Sequence, residues 1–155
     1  MLLNSYTLLI IKNVIPVIYG SWFIYIGVQH FVDPEWFEPI VPSFLGFPKF
    51  WVLVSGFLEI VLGMFLIIPL TRKFSGVCLV LFLIIIYIAN INMWILDIPI
   101  GGNRLSTQGH IIRALAQVLL IIIALYISEI NPINYLRIKF NNARNRNQIT
   151  IMQKK

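Results

Sequence analysis

The sequence predicts an all-α protein, a bundle of four transmembrane helices with both termini in the cytoplasm. Composition is the first observation: 59% of the 155 residues are hydrophobic and 12% are charged, with a mean hydropathy of +0.86. Such values lie far outside the range of soluble domains. The second observation is length, because a helix needs about 20 apolar residues to cross a bilayer. Four segments qualify, at roughly 14–32, 50–69, 74–97 and 110–128.

The third observation is that the positively charged residues are distributed unevenly between the two sides of the membrane. Cytoplasmic loops of membrane proteins are enriched in Lys and Arg. One side carries only three basic residues, Lys49, Arg104 and Arg113. The side with both termini and the middle loop carries the other nine: Lys12, Arg72, Lys73, Arg137, Lys139, Arg144, Arg146, Lys154 and Lys155. We therefore expect cytoplasmic termini, in the plasma membrane if the source is bacterial.

The net charge is +6, and we interpret the basic residues as anchors at lipid headgroups. No nucleic-acid-binding motif surrounds the basic residues, so nucleic acid is not an expected partner. The lipid bilayer is the expected one. The first helix is expected to be retained, because the N-terminus has neither a basic n-region nor a cleavage-site pattern.

Three parts are predicted along the chain: an N-terminal interfacial segment at 1–13, a membrane domain at 14–128 and a basic cytoplasmic tail at 129–155. The start of the tail has one apolar face and is expected to form an interfacial helix. In the middle loop, Pro69 is expected to end the second helix, with Arg72 and Lys73 at the lipid phosphates.

The two outer loops carry different signals. Residues 33–49 contain four prolines and several aromatic side chains, which predict a cap folded over the outer face without a long helix. In the second loop, Gly-Gly-Asn at 101–103 predicts a turn. Ser106 and Thr107 are the candidate N-caps of the fourth helix.

Glu59 is the most unusual residue of the spans, since it interrupts the apolar run SGFLEIVLG at 55–63. A lone charge at the bilayer centre costs about 2.5–3.5 kcal/mol on insertion scales, so such residues face the bundle interior and have a partner. Glu59 follows Gly56 by three residues, and His30 follows Gly27 by three. Both polar side chains are therefore expected to turn into the bundle.

Glycines on the first two spans predict how those helices pack. Gly20 and Gly27 are seven residues apart, as are Gly56 and Gly63, and the two pairs match in depth at a rise of 1.5 Å per residue. Small residues allow transmembrane helices to approach closely. We predict that the two glycine faces contact each other.

Further polar residues of the third and fourth spans lie at a similar height. Asn90, Glu59 and Gln117 are about 10–14 Å from the outer ends of their helices, counted at the α-helical rise. Arg113, His30 and His110 are expected nearer the outer surface. We predict that Glu59 hydrogen-bonds within a cluster of Asn90, Arg113 and Gln117, with its ionisation state left open. The predicted ligand-binding pocket combines five residues: His30, Glu59, Asn90, Arg113 and Gln117. No catalytic residue is predicted, and no metal site, since nothing brings His30, His110 and Glu59 together.

Several short stretches keep a characteristic order and spacing: HFVDPEWFEPIVP at 30–42, SGFLEIVLG at 55–63, IPLTR at 68–72, ANINM at 89–93, and the pair Arg113 and Gln117. Together they resemble the DoxX-like family of small four-helix membrane proteins, over most of residues 14–128. Two features depart from it, namely Ala114-Leu115-Ala116, where relatives often have a proline, and the GGNRLSTQGH loop. The resemblance implies the four-helix fold and a membrane location. It also implies links to quinone-coupled sulfur oxidation, to assembly with redox enzymes or to maturation of other membrane proteins.

The leading functional hypothesis is an accessory protein or subunit of a quinone-linked membrane redox system, rather than a stand-alone enzyme. Its polar pocket would hold a quinone-like headgroup, and its partner would be a membrane or soluble redox protein. The lone Cys78 provides no dithiol pair of its own. One alternative is a structural or assembly protein without a ligand, and a homo-oligomer is compatible with either. A small proton or solute pathway is weaker, because the cytoplasmic half lacks polar relay residues.

Overall fold

The structure is a computed structural model that describes the backbone of residues 5–128 and the side chains of residues 12–128. The predicted tail, 129–155, lies outside the described residues. The described part is helical and contains no β-strand, which confirms the all-α prediction. Its helices are α1 (Ser5–Val32), α2 (Pro34–Phe37), α3 (Pro48–Ile67), α4 (Arg72–Ile95) and α5 (Thr107–Ile127).

Four helices, α1, α3, α4 and α5, are long and apolar enough to cross a membrane. The bounds of α3, α4 and α5 agree with the predicted spans to within three residues, and α1 ends at Val32, as predicted. At the N-terminus, α1 begins at Ser5, before the predicted start of the first span. The described part of the segment 1–13 is therefore continuous with the first spanning helix.

The four long helices form two antiparallel pairs. α1 packs most extensively against α3, α4 packs against α5, and α3 and α4 join the pairs. α1 meets α5 at Tyr19, whose hydroxyl donates to the carbonyl oxygen of Leu120 at 2.6 Å. We call the end that carries residues 33–47 and 96–106 the loop end. The opposite end, with the short turn at 68–71, is the turn end.

Glycines bring α1 and α3 into direct backbone contact. A Cβ placed on Gly20 would lie 2.5 Å from the carbonyl oxygen of Gly63, and one on Gly27 would lie 2.5 Å from that of Gly56. No other residue fits at such a distance. The predicted pairing of the two glycine faces is confirmed, in the predicted register.

Arg72 fastens the turn end. Its guanidinium donates to the carbonyl oxygens of Leu66 at 3.0 Å, Ile67 at 3.3 Å and Lys12 at 3.1 Å. The last carbonyls of a helix lack partners within the helix, and α3 ends at Ile67, shortly before Pro69. Arg72 thus caps α3 and ties it to α1, although the sequence predicted a lipid phosphate contact.

The loop end is closed by a lid, which we define as residues 33–47 and 96–106. The first loop folds into α2 and two 3-10 turns, Glu38–Ile40 and Ser43–Leu45, and forms no long helix, as predicted. Asn92 on α4 donates to the carbonyl oxygen of Ile40 at 3.3 Å. The first loop is therefore pinned across the bundle to the second helix pair.

The second loop completes the lid. Gly101 and Gly102 adopt positive φ angles of 55° and 79°, consistent with the predicted turn. A Cβ on Gly101 would lie 2.6 Å from Nε1 of Trp36, so the two loops are in close contact. Ser106 caps α5 by accepting from the backbone N–H of Gly109 at 3.3 Å, which confirms its predicted role.

Candidate functional site

His30 and Glu59 form a buried pair between α1 and α3. Their residues are 7% and 4% exposed, and His30 Nδ1 lies 3.2 Å from Glu59 Oε2. Neither atom forms a hydrogen bond of normal geometry within the described part of the chain. The two side chains are thus in close polar contact, but the contact lacks the geometry of a hydrogen bond. Both side chains turn into the bundle, as predicted.

The glycine faces create the space for this pair. A Cβ on Gly56 would lie 2.5 Å from the Cβ of His30, and one on Gly27 would lie 3.0 Å from the Cβ of Glu59. Each glycine therefore accommodates the polar residue of the opposite helix. The relevant sequence signal is a polar residue three positions after a packing glycine, present on both helices.

Phe37 covers the pair from the lid. Its ring centroid lies 4.0 Å from that of the His30 imidazole, with an edge-on angle of 73° between the rings. Trp36 packs edge-on against Phe37 at 4.7 Å. An aromatic layer thus separates the His30–Glu59 pair from the outer surface of the lid. Sequence reasoning assigned these aromatic residues to the membrane interface and did not find this contact.

Arg113 and Asn90 form a second pair, between α4 and α5. A guanidinium nitrogen of Arg113 donates to Oδ1 of Asn90. The ion-pair partner of Glu59 in the described residues is His30, so the predicted hydrogen bond between Glu59 and Arg113 is wrong. The physical reason is the pairing of the helices, since α5 packs on α4 and Arg113 meets the polar residue of its own pair.

Gln117 makes a third, separate contact. Its Nε2 donates to the backbone carbonyl oxygen of Leu83 at 2.7 Å, and the residue is 7% exposed. The five residues of the predicted pocket are thus divided among three contacts, of which one joins α1 to α3 and two join α4 to α5. The predicted contact of Glu59 with Asn90 or Gln117 is likewise not formed.

An open groove of about 280 Å³ runs between α4 and α5. Its walls are mostly aliphatic, and Gln117, Tyr87 and Trp94 are the residues with polar atoms among its lining. The remaining lining residues are Ile84, Ile111, Ala114, Leu115, Val118 and Ile121. The sequence pointed to Gln117 but not to Tyr87 or Trp94, because the separation of two helices is a tertiary property.

His110 lies at the loop end of α5, where its ring stacks on Trp94 with centroids 5.4 Å apart and an angle of 3°. It is buried and does not join His30 and Glu59. Among the described residues no group of three or more His, Cys, Asp or Glu side chains is arranged to hold a metal ion.

Residues 20–128 match a family described as a domain of unknown function, DUF8561. The chain belongs to this family. The DUF8561 match covers the three polar contacts, the groove and the lid. No curated protein and no solved structure matches the chain. The resemblance of this DUF8561 protein to the DoxX-like family stays a prediction.

Proposed function

We propose that this DUF8561 protein is a multi-pass integral membrane protein with cytoplasmic termini, and that it acts as an accessory subunit holding a quinone-like amphiphile. The observation that carries the proposal is the groove between α4 and α5, whose surface is almost entirely apolar and whose lining residues include Gln117, Tyr87 and Trp94. A DoxX-like role in a quinone-linked redox system is compatible with such a site. Electron transfer would then take place with a separate membrane or soluble redox protein.

The exposed faces of the helices support the membrane assignment. Ile85, Ile112 and Leu115 are 64%, 67% and 64% exposed, and they belong to extended apolar faces of α4 and α5. Monomeric soluble proteins rarely expose contiguous apolar surface of this kind. In a bilayer the same faces contact lipid tails, so no free energy is lost by exposing apolar surface to water.

The chemistry of the groove fits a quinone-like amphiphile. From Trp94 to Ile84 it extends over ten residues of α4, which is about 15 Å at the helical rise. The Tyr87 hydroxyl and the Trp94 indole N–H donate no hydrogen bond within the described residues. They are available to the carbonyl oxygens of a quinone ring, while the aliphatic walls suit its tail.

Native mass spectrometry of the protein in nanodiscs, with decylubiquinone added, tests the proposal. Ala114→Phe fills the groove, because Ala114 is one of its lining residues. Ala116→Phe is the matched control on the same helix, since Ala116 is exposed and does not line the groove. We expect the wild type and Ala116→Phe to retain the quinone and Ala114→Phe to lose it. Equal retention by all three proteins, or none by the wild type, would overturn the proposal.

A structural or assembly role without a ligand is the second candidate. It is favoured by the polar contacts between α4 and α5, because Asn90 and Gln117 each take part in an interhelical hydrogen bond. Interhelical hydrogen bonds of this kind contribute about 0.6–2 kcal/mol to helix packing in membranes. The same mass spectra distinguish the two candidates: a co-purifying subunit or second copy, with no quinone in any spectrum, supports the assembly role.

A further inference from the structure

We propose that His30 and Glu59 form a buried proton-binding site, whose number of bound protons determines whether the lid stays closed over it. The proposal goes beyond the groove and does not depend on a quinone. It begins from two facing polar atoms, His30 Nδ1 and Glu59 Oε2, which are 3.2 Å apart and lack other hydrogen-bond partners in the described part of the chain.

The charge of the pair depends on its proton count. With one exchangeable proton, either as imidazolium and carboxylate or as imidazole and carboxylic acid, the pair is neutral overall. A second proton leaves an imidazolium beside a neutral acid, with a net charge of +1. Loss of the proton leaves a carboxylate beside a neutral imidazole, with a net charge of −1. Only the state with one proton can be buried without an uncompensated charge.

No other described charge compensates the pair. Glu35 on α2 and Lys49 on α3 are exposed, and Glu38 lies in the half-buried 3-10 turn. Asp33 is exposed and caps α2. None of these side chains comes within ion-pair distance of His30 or Glu59. A change in proton count therefore leaves a net charge in the bundle.

α4 and α5 offer no compensation either. α4 places no charged residue at this level, and the Arg113 guanidinium on α5 donates to Asn90 and is not within ion-pair distance of Glu59. His110 on α5 stacks on Trp94. At the far end of α1, Lys12 is about 27 Å from His30 at the helical rise. Water is thus the remaining source of stabilisation for a charged pair.

Phe37 connects the proton count to the lid. Its ring packs edge-on over the imidazole at 4.0 Å and excludes water from that side. Hydration of a charged pair requires this ring to move away. Because Phe37 ends α2, which lies within the lid, its displacement opens the lid at the loop end while the glycine-packed helices stay in contact.

Hydrogen–deuterium exchange of the full chain in nanodiscs, read by mass spectrometry, tests this inference. Protection factors are calculated against intrinsic exchange rates, which removes the chemical pH dependence. Between about pH 8.5 and about pH 4.5, a range that spans the ordinary titration of Glu and His, we expect the protection of lid peptides to be greatest where the pair holds one proton and to fall about ten-fold or more where the pair gains or loses a proton. Peptides of α4 near the turn end serve as the internal reference and should stay constant. A wild-type lid with pH-independent protection would overturn the inference without any variant.

The double variant His30→Gln/Glu59→Gln identifies the titrating groups. It removes both ionisable side chains, and its two amides remain able to hydrogen-bond. Its lid protection is expected to be independent of pH. His110→Gln is the matched control, because His110 is the other buried histidine at the loop end, and this variant should keep the wild-type pH response. A double variant that still responds to pH like the wild type would refute the assignment.

Discussion

At the scale of single residues, the partner of Glu59 is the contact that most needs an independent test. A double-mutant cycle with His30→Gln and Glu59→Gln should give a coupling energy of about 0.5 kcal/mol or more, because contacting residues couple and distant ones do not. Each single change strands a buried polar group and should destabilise the fold more than the double change does. Stability is measured by thermal unfolding in detergent at neutral pH.

The matched control is a second double-mutant cycle, which pairs Glu59 with Arg113, the partner that the sequence predicted, instead of with His30. Arg113→Gln combined with Glu59→Gln should be additive, since Arg113 donates to Asn90 instead. Coupling in this second cycle with additivity in the first would reverse the assignment of the two pairs.

The register of α1 against α3 was predictable from the sequence, but the partners of these side chains were not. Counting residues at the helical rise placed Glu59 deeper than His30, whereas in the structure His30 Nδ1 lies 3.2 Å from Glu59 Oε2. Rotation about the axis and the choice of neighbouring helix depend on tertiary packing. Arg113 lies on α5, which packs mainly on α4, and no local signal in the sequence encodes that arrangement.

At the scale of helices, the α1–α3 contact depends on glycine at four positions. In Gly56→Ala the new methyl group would lie 2.5 Å from the Cβ of His30 and 2.8 Å from the carbonyl oxygen of Gly27. The helices must separate, so we expect a loss of about 1–3 kcal/mol, as for other overpacked sites. Thermal unfolding in detergent measures it.

Gly109→Ala is the control for this prediction. Gly109 is also helical, but the nearest atom to its new methyl group is Cδ2 of Leu105, at 3.3 Å in a flexible side chain. Alanine favours helix over glycine by up to about 1 kcal/mol, so this variant should unfold at the same temperature or higher. An equal loss in both variants would mean that the α1–α3 contact is not the cause.

Glycine spacing was a sufficient signal for this interface because the contact is made by backbone. Two glycines seven residues apart lie on one helix face, and Gly20/Gly27 match Gly56/Gly63 in depth. α4 carries a single glycine, Gly76, which lies against Ala124 and Ser128, so the sequence pattern of the α4–α5 contact is weaker. The groove at Tyr87 and Trp94 was therefore missed, although Gln117 in the same groove was singled out.

At the scale of the whole molecule, composition and segment length were enough to predict four long helices, since both reflect the thickness of a bilayer rather than any detail of packing. The lid was predicted only in outline. Its prolines exclude a long helix, but the contacts that hold it, from Asn92 to Ile40 and from Trp36 to Gly101, join residues distant in sequence.

The orientation of the molecule follows from its charges and gives the last prediction. Nine of the twelve Lys and Arg residues belong to the side of the termini and the turn at 68–71, and this bias predicts that this side faces the cytoplasm. In a bacterial host, green fluorescent protein fused after Lys155 should fluoresce, and alkaline phosphatase inserted at Gly102 should be active. Gly102 is a suitable site, since it is exposed in the lid and a Cβ there would meet no neighbouring atom.

The reciprocal fusions serve as controls, with alkaline phosphatase after Lys155 and green fluorescent protein at Gly102, and both should be silent. A substitution of Arg72 would not test the charge bias alone, because the Arg72 guanidinium also donates to carbonyl oxygens of α3 and α1. The basic residues beyond position 128 should therefore contribute most to the bias, since six of the nine lie there. Replacing these six by glutamine should shift part of the population to the opposite orientation, whereas an active phosphatase after Lys155 in the unmodified chain would mean that the termini face outward.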